Sequence, residues 1–222
     1  MAIFPGSAIP SAVSDYEIEN SLRFDSGDSS YLSRTMTTEG NRKIWTLSFW
    51  YKPTGKDFTS TSYDVIFTAW ADATHFDEVV FYQGKLQYEK YVEETTCKLR
   101  TTQVFRDPSA WYHIVLRNDT TDGTAGDRMR IYVNGEEVTA FDTDTNPSLN
   151  MEWYVNDGSS DLEIGRFGSY GTYISAYLAE VYLIDGTAYD ADDLGELSST
   201  TNQWIPIDAS GLTFGTNGFY QK

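Results

Sequence analysis

Between Arg128 and Phe141 the chain has few options other than an antiparallel hairpin. Met129, Ile131 and Val133 alternate with Arg128, Arg130 and Tyr132, the period of a strand with one face in a core. Asn134-Gly135 follows at once, and both residues tolerate the positive φ that a two-residue turn matching strand twist requires. Glu136 to Phe141 then reads as the returning strand.

The same pattern recurs along the chain. Lys43 to Tyr51 sets Trp45, Leu47, Phe49 and Tyr51 on one face against Thr46, Ser48 and Trp50 on the other, a half-buried strand. Asp64 to Trp70, Glu78 to Gln83, Leu86 to Tyr91 and Lys98 to Val104 continue the series, with a tight hairpin at Gln83-Gly84-Lys85. Trp111 to Arg117 is apolar apart from His113, and Ser21 to Phe24 and Tyr31 to Ser33 are briefer strand signals. Asp142 to Ser160 is polar and reads as a long surface loop, after which Leu162 to Ile164 resumes a strand. Leu178 to Ile184 is apolar except for Glu180, the one point expected to reach solvent. Asp185-Gly186 turns the chain, and Asp190 with Asp193 three residues on forms a capping box for a helix of one or two turns, stopped at Gly195.

Many short strands and one short helix near the C-terminus predict an all-β fold, a two-sheet antiparallel sandwich, with a closed barrel as the alternative. A chain of 222 residues suits one such domain. Residues 1–14 are small, Ser-rich and contain Pro, which reads as an extended arm or a frayed terminus ahead of a domain over 15–222.

Charge and cysteine usage narrow the partners. A formal net charge of −17 repels phosphate backbones and anionic lipid, so nucleic acid and membrane are not expected. No run approaches the roughly 20 apolar residues of a membrane-spanning helix. The single cysteine, Cys97, rules out an intramolecular disulfide and a Cys-based metal site, and reads as a small core residue.

Several stretches taken in order resemble the laminin-G-like, concanavalin A-like jelly-roll domain of tailed-phage structural proteins. They are Tyr16 to Phe24, Ser30 to Arg34, Gly40 to Thr46, Trp111 to Val115, Arg130 to Gly135 and the C-terminal run from Trp204-Ile205-Pro206 to Gly215-Thr216-Asn217-Gly218-Phe219-Tyr220. The resemblance implies a non-enzymatic virion component made in the host bacterial cytoplasm. It would be a capsid decoration or a tail- or fibre-associated module, in contact with other virion proteins and repeated as a homo-oligomer. The alternative is an adhesin for host surface glycan. The domain in such relatives continues past the Gly-Phe-Tyr motif, so the end at Lys222 suggests a stand-alone accessory protein.

Candidate chemistry is sparse. Asp15, Glu17 and Glu19 have strand spacing but precede the first convincing strand, which reads as a solvated edge rather than a hydrolase pair. Asp142, Asp144 and Asn146 open like a calcium loop, but Pro147 stands where glycine is needed. Relatives of this kind hold calcium at loop carboxylates, which makes Asp119, Asp122 and Asp127 in a Gly-containing turn the candidate calcium ligands. His113 reads as satisfied by a hydrogen bond at the sheet. For glycan or partner contact the candidates are the rings of Trp153, Tyr154, Tyr170 and Tyr173, set against the simpler reading that such rings pack under loops or against a neighbouring subunit.

Overall fold

The computed structural model describes residues 16–54 and 63–222. Its first strands are β1 (Leu22–Phe24), β2 (Leu32–Thr35), β3 (Ile44–Pro53), β4 (Tyr63–Asp72), β5 (His75–Tyr82) and β6 (Lys85–Val92). β7 (Glu94–Thr101), β8 (Tyr112–Asp119), β9 (Met129–Val133), β10 (Glu136–Glu137) and β11 (Phe141–Thr145) follow. The remainder are β12 (Asp161–Ile164), β13 (Arg166–Phe167), β14 (Thr172–Tyr173), β15 (Ala176–Asp185), β16 (Gly195–Leu197), β17 (Trp204–Pro206) and β18 (Phe219–Gln221).

Two seven-stranded antiparallel sheets form the expected sandwich. The first runs β1-β15-β3-β8-β9-β10, with β18 also paired to β15, and the second runs β11-β7-β6-β5-β4-β12-β2. Between them lies the main core, where Tyr51 stacks on Phe81 at 4.2 Å and Trp45 meets Tyr88 edge-on at 5.7 Å. The expected C-terminal helix is a single 3-10 turn at Ala191–Asp193, and its Asp190/Asp193 capping box is formed. Gln83-Gly84 and Asn134-Gly135 take positive φ at both residues, as two-residue hairpin turns require.

Four expectations need correction. The polar face of β3 is buried as well, because residues 185–218 return over the outside of the first sheet. There Thr46 donates to the Thr187 carbonyl, and the Trp204 indole N–H donates to His113 Nδ1 at 2.8 Å. Gly135 is needed twice over, for its φ of +85° and because a Cβ would run into the Trp204 ring.

Glu180 does not reach solvent. It sits on a β-bulge with φ +50°, is 2% exposed, and accepts hydrogen bonds from the hydroxyls of Tyr182 and Tyr220. The return strand after Gly135 pairs over only two residues before the chain crosses to the second sheet as β11. The expected long surface loop is therefore partly strand and partly core. Trp153 and Val155 plug the end of the sandwich, where buried Asp77 accepts the N–H groups of Tyr154 and Val155.

The C-terminal run that carried the resemblance is a clasp. Gly215 has φ +76°, and Asn217 donates its N–H to Asp185 Oδ2 at 3.0 Å and its amide to the Thr38 carbonyl. Asp185 also accepts from the Asn41 N–H and the Asn156 amide, so one buried carboxylate ties three loops together. The N-terminal arm expected over residues 1–14, and Asp15, lie outside the described residues.

Candidate functional site

The second sheet's outer face carries its own apolar cluster, Val65, Phe76, Val80 and Phe167, flanked by half-buried Tyr63, Trp70, Tyr82 and Tyr91. What covers its upper end is the β13–β14 hairpin. At Gly165 (φ +84°) the chain leaves β12, since a side chain there would collide with Phe24, and Thr68 Oγ1 then binds the Arg166 carbonyl at 3.1 Å. Phe167 is driven inward against Phe76 at 4.7 Å. Glu163 Oε2 accepts the Gly168 N–H at 2.6 Å, fixing the turn from below.

This hairpin sets Tyr173 beside Tyr31, which precedes β2, and carries Tyr170 at its turn, against Phe167 and Phe76. Tyr170 is 59% exposed and is held by its hydroxyl to the Ala73 carbonyl at 2.8 Å. Tyr31 is 40% exposed and lies 6.2 Å from the Tyr173 ring. The Arg166 guanidinium covers the Tyr31 ring at 4.2 Å and the Tyr173 ring at 5.9 Å, with Glu163 3.6 Å away. The result is a corner in which the Tyr31 and Tyr173 rings are braced by a cation and a carboxylate, with the exposed Tyr170 ring at the turn of the same hairpin. Sequence reasoning missed Tyr31 and Arg166, because only the pairing of β2 with β12 and the hairpin bring them beside Tyr173.

The middle of the same face holds a buried polar network. Glu78 and Glu89 are direct partners across β5 and β6, and the Gln87 amide donates to both, at 3.0 and 2.9 Å. Tyr63 donates to Glu78, while Lys98 pairs with Glu89 at 2.8 Å. Burial pushes the Glu78 carboxyl up to about 7, with the charge of Glu89 adding, against the pull of the Tyr63 and Gln87 hydrogen bonds.

Two of the sequence candidates are not surface groups. Trp153 is fully buried, stacked on Tyr88 at 5.0 Å and edge-on to Trp45 at 5.6 Å, so neither indole face is free. Tyr154 is half-buried with Lys90 Nζ 3.7 Å over its ring. Trp153 belongs to the core plug, because Met151, Trp153 and Val155 alternate within an otherwise polar stretch, and Tyr154, out of that register, packs against the margin of the core.

Nor do the candidate calcium ligands converge. Asp119 Oδ1 accepts from Thr121, Asp122 Oδ1 accepts the Thr124 N–H, and Asp127 pairs with Arg130. Among the described residues no group of three or more His, Cys, Asp or Glu side chains is placed to hold a metal. The carboxylates are committed to turns and an ion pair, and the donor set does not fit a calcium ion.

His113 is locked inside the cover of the first sheet. Since the Trp204 indole donates to Nδ1, Nε2 carries the proton and donates to Ser48 Oγ at 2.8 Å. Burial pushes this imidazole down to about 3. No helix among the described residues is long and apolar enough to cross a membrane.

Sandwich, clasp and lectin-like layering define a concanavalin A-like architecture. A sequence profile of the concanavalin A-like lectin/glucanase superfamily, of laminin-G type, matches residues 25–193, and the chain belongs to this family. No curated protein matches it in sequence. Among solved structures, the binding domain of Paraclostridial mosquitocidal protein 1 superposes with a TM-score of 0.54 at 14% identity, over 78% of this chain and 41% of that one. The mouse laminin α1 chain, domains LG4-5, gives 0.52 at 13% identity over 91% and 47%. The botulinum neurotoxin serotype G binding domain gives 0.52 at 12% identity over 78% and 40%. The chain spans less than half the length of each, and these likenesses establish the fold alone.

Proposed function

We propose that this protein is a non-enzymatic binding module of a tailed-phage particle, held there by contacts with other virion proteins, and that its outward target is host surface glycan. The observation that carries the glycan reading is the β13–β14 hairpin, with Tyr31, Tyr173 and Arg166 at its base and the exposed Tyr170 at its turn. Of the six exposed large hydrophobic side chains among the described residues, Tyr31 and Tyr170 flank this hairpin, whose backbone is fixed from beneath. Tyrosine faces accept the C–H face of a pyranose, and rings already held in place lose little freedom on binding.

A catalytic role has less support. Three carboxylates in one row of this sheet face, Glu78, Glu89 and Glu163, are 3%, 4% and 4% exposed, and each is engaged by donors. Hydrolysis needs a pair of them open to both sides of a glycosidic bond. For the particle-facing contact, β2 is a sheet edge with all four residues exposed, an arrangement that supports strand pairing with a neighbour or a second copy.

The test is binding of fluorescently labelled protein to host cells and to a glycan array, comparing wild type with the Tyr170→Ala/Tyr173→Ala variant. Saturable binding that soluble sugar competes and the variant loses is the expected result. Equal binding by both proteins would overturn the hairpin as the glycan site, and no binding to glycan while the protein still decorates particles would leave only the protein-contact role. Immunogold labelling locates the chain on the particle, and unlabelled particles would overturn the virion assignment.

A further inference from the structure

A recessed surface of a different kind lies on the opposite side of the sandwich, over the outer face of the first sheet. It is a cleft of about 340 Å³ walled by Trp50, Trp111 and Pro206 and rimmed by Glu19, Asn20 and Ser21. The volume is at the lower end of the range for small-molecule sites.

The aromatic wall is rigid. Trp50 stacks on His113 at 4.9 Å with the planes 20° apart, and His113 stacks in turn on Trp204 at 6.1 Å and 19°. Because the imidazole is tied at both nitrogens, to Ser48 and to Trp204, the Trp50 plane is set before any ligand arrives. Trp111, 36% exposed, forms the other wall, with Lys52 Nζ 5.9 Å from its ring centre.

The polar groups are uncommitted. Trp50 is 8% exposed and its indole N–H has no acceptor among the described residues, yet it is not among the nitrogens sealed from solvent without a partner. Glu19, Asn20 and Ser21 are exposed and make no side-chain hydrogen bond within the described protein. An indole donor, a carboxylate, an amide and a hydroxyl thus border the exposed ring of Trp111 and the small part of Trp50 that remains open. This combination suits a ligand with one C–H face and a perimeter of hydroxyls. The Glu19 charge, in a chain of net charge −17, disfavours an acidic one.

We propose that this cleft is a second sugar-binding site, specific for a neutral pyranose and independent of the tyrosine corner. Glu19 and Asn20 accept and donate to ring hydroxyls while the sugar's apolar face lies against the tryptophans. Because it sits on the opposite sheet, its occupancy does not depend on the corner, and the glycan reading of the corner can fail without affecting it.

The experiment is titration of ¹⁵N-labelled full-length protein with glucose, galactose, mannose and N-acetylglucosamine, and with N-acetylneuraminic acid as the acidic probe, following the Trp50 indole N–H resonance. At least one neutral sugar should shift that resonance saturably. Glu19→Gln should weaken the effect by about tenfold, the scale of one lost hydrogen bond to a charged acceptor. Trp111→Ala, a change at an exposed side chain, should abolish it. Tyr170→Ala/Tyr173→Ala should leave it unchanged. The proposal is overturned if no neutral sugar shifts the resonance, if only the acidic sugar does, or if the shift survives in Trp111→Ala with its dispersed spectrum intact.

Discussion

Replacing Glu78 by Gln should make the protein's stability less sensitive to pH between about 4.5 and 7, and the size of the change follows from the network around it. In the unfolded chain this carboxyl has its ordinary value of 4.5, whereas burial holds it near 7 in the fold. Across that window the folded state keeps a proton that the unfolded state has released. The group's contribution to stability is therefore intact below about 4.5 and is lost as pH rises through 7. Each pH unit between the two values is worth about 1.4 kcal/mol, so the loss amounts to about 3 kcal/mol. A glutamine at 78 keeps one acceptor for the Gln87 amide and offers its own NH2 to the Tyr63 hydroxyl oxygen, but cannot ionise beside Glu89. Urea unfolding followed by tryptophan fluorescence, at half-unit steps from pH 4.5 to 8, gives the difference in unfolding free energy between variant and wild type. Other titrating groups, His113 among them, cancel in that difference. It should be close to zero or slightly against the variant at pH 4.5 and should move in the variant's favour by about 3 kcal/mol by pH 7.5. A difference that stays flat to within about 0.5 kcal/mol would show that Glu78 titrates alike in both states and would refute the reasoning.

Three further outcomes are expected. Trp204→Ala should cost about 3 kcal/mol in urea unfolding, since the indole fills the space over Gly135 and Gly195 and its loss strands His113 Nδ1. Millimolar calcium or EDTA should move the melting temperature by less than about 1 °C, because a ligand without a site gives no linkage, and Asp119, Asp122 and Asp127 are already engaged. Tyr170→Ala should change stability by less than about 1 kcal/mol, in keeping with a mostly exposed ring, while differential scanning calorimetry of Trp153→Ala should show a much larger loss.

The strand pattern was legible because period-two alternation reports directly on which side chains face the core. Met129, Ile131 and Val133, or Trp45, Leu47, Phe49 and Tyr51, sit where alternation places them. What alternation cannot report is the cover on the opposite face. Thr46, Ser48 and Trp50 read as a solvated face, and their burial depends on a segment that returns from far along the chain: the Thr46 bond to Thr187 spans 141 residues. The burial of Trp153 is hidden for the same reason. Its neighbours in sequence are polar, whereas the rings that enclose it come from β3 and β6. The C-terminal motif could be recognised by its order, yet the roles of Gly215 and Asn217 emerge only once Asp185 is seen between the loops it joins. One signal of the cover does stand in the sequence: a tryptophan at 50, in the polar register of β3, is out of keeping with a solvated face.

The unexpected burial of these residues and the two candidate surfaces have a common cause. In this fold both outer faces carry large apolar side chains, and each is covered by a later element, the first sheet by the C-terminal segment and the second by the β13–β14 hairpin. Rings under the middle of a cover are consumed by packing, as Tyr182 is between Tyr220 at 4.5 Å and Phe214 at 6.2 Å. Rings at the margin of a cover are held on one side and keep some surface on the other, little at Trp50 (8% exposed) and most at Tyr170 (59%). Trp50 lies at the edge of the C-terminal segment, with His113 behind it, while at the hairpin Tyr31 and Tyr173 lie against Arg166, and Tyr170 lies against Phe167. A half-supported ring is an apolar surface whose orientation is already fixed, so ligand binding there costs little ordering. The margins of the two covers are therefore where the two proposed sugar contacts would need no rearrangement of the core.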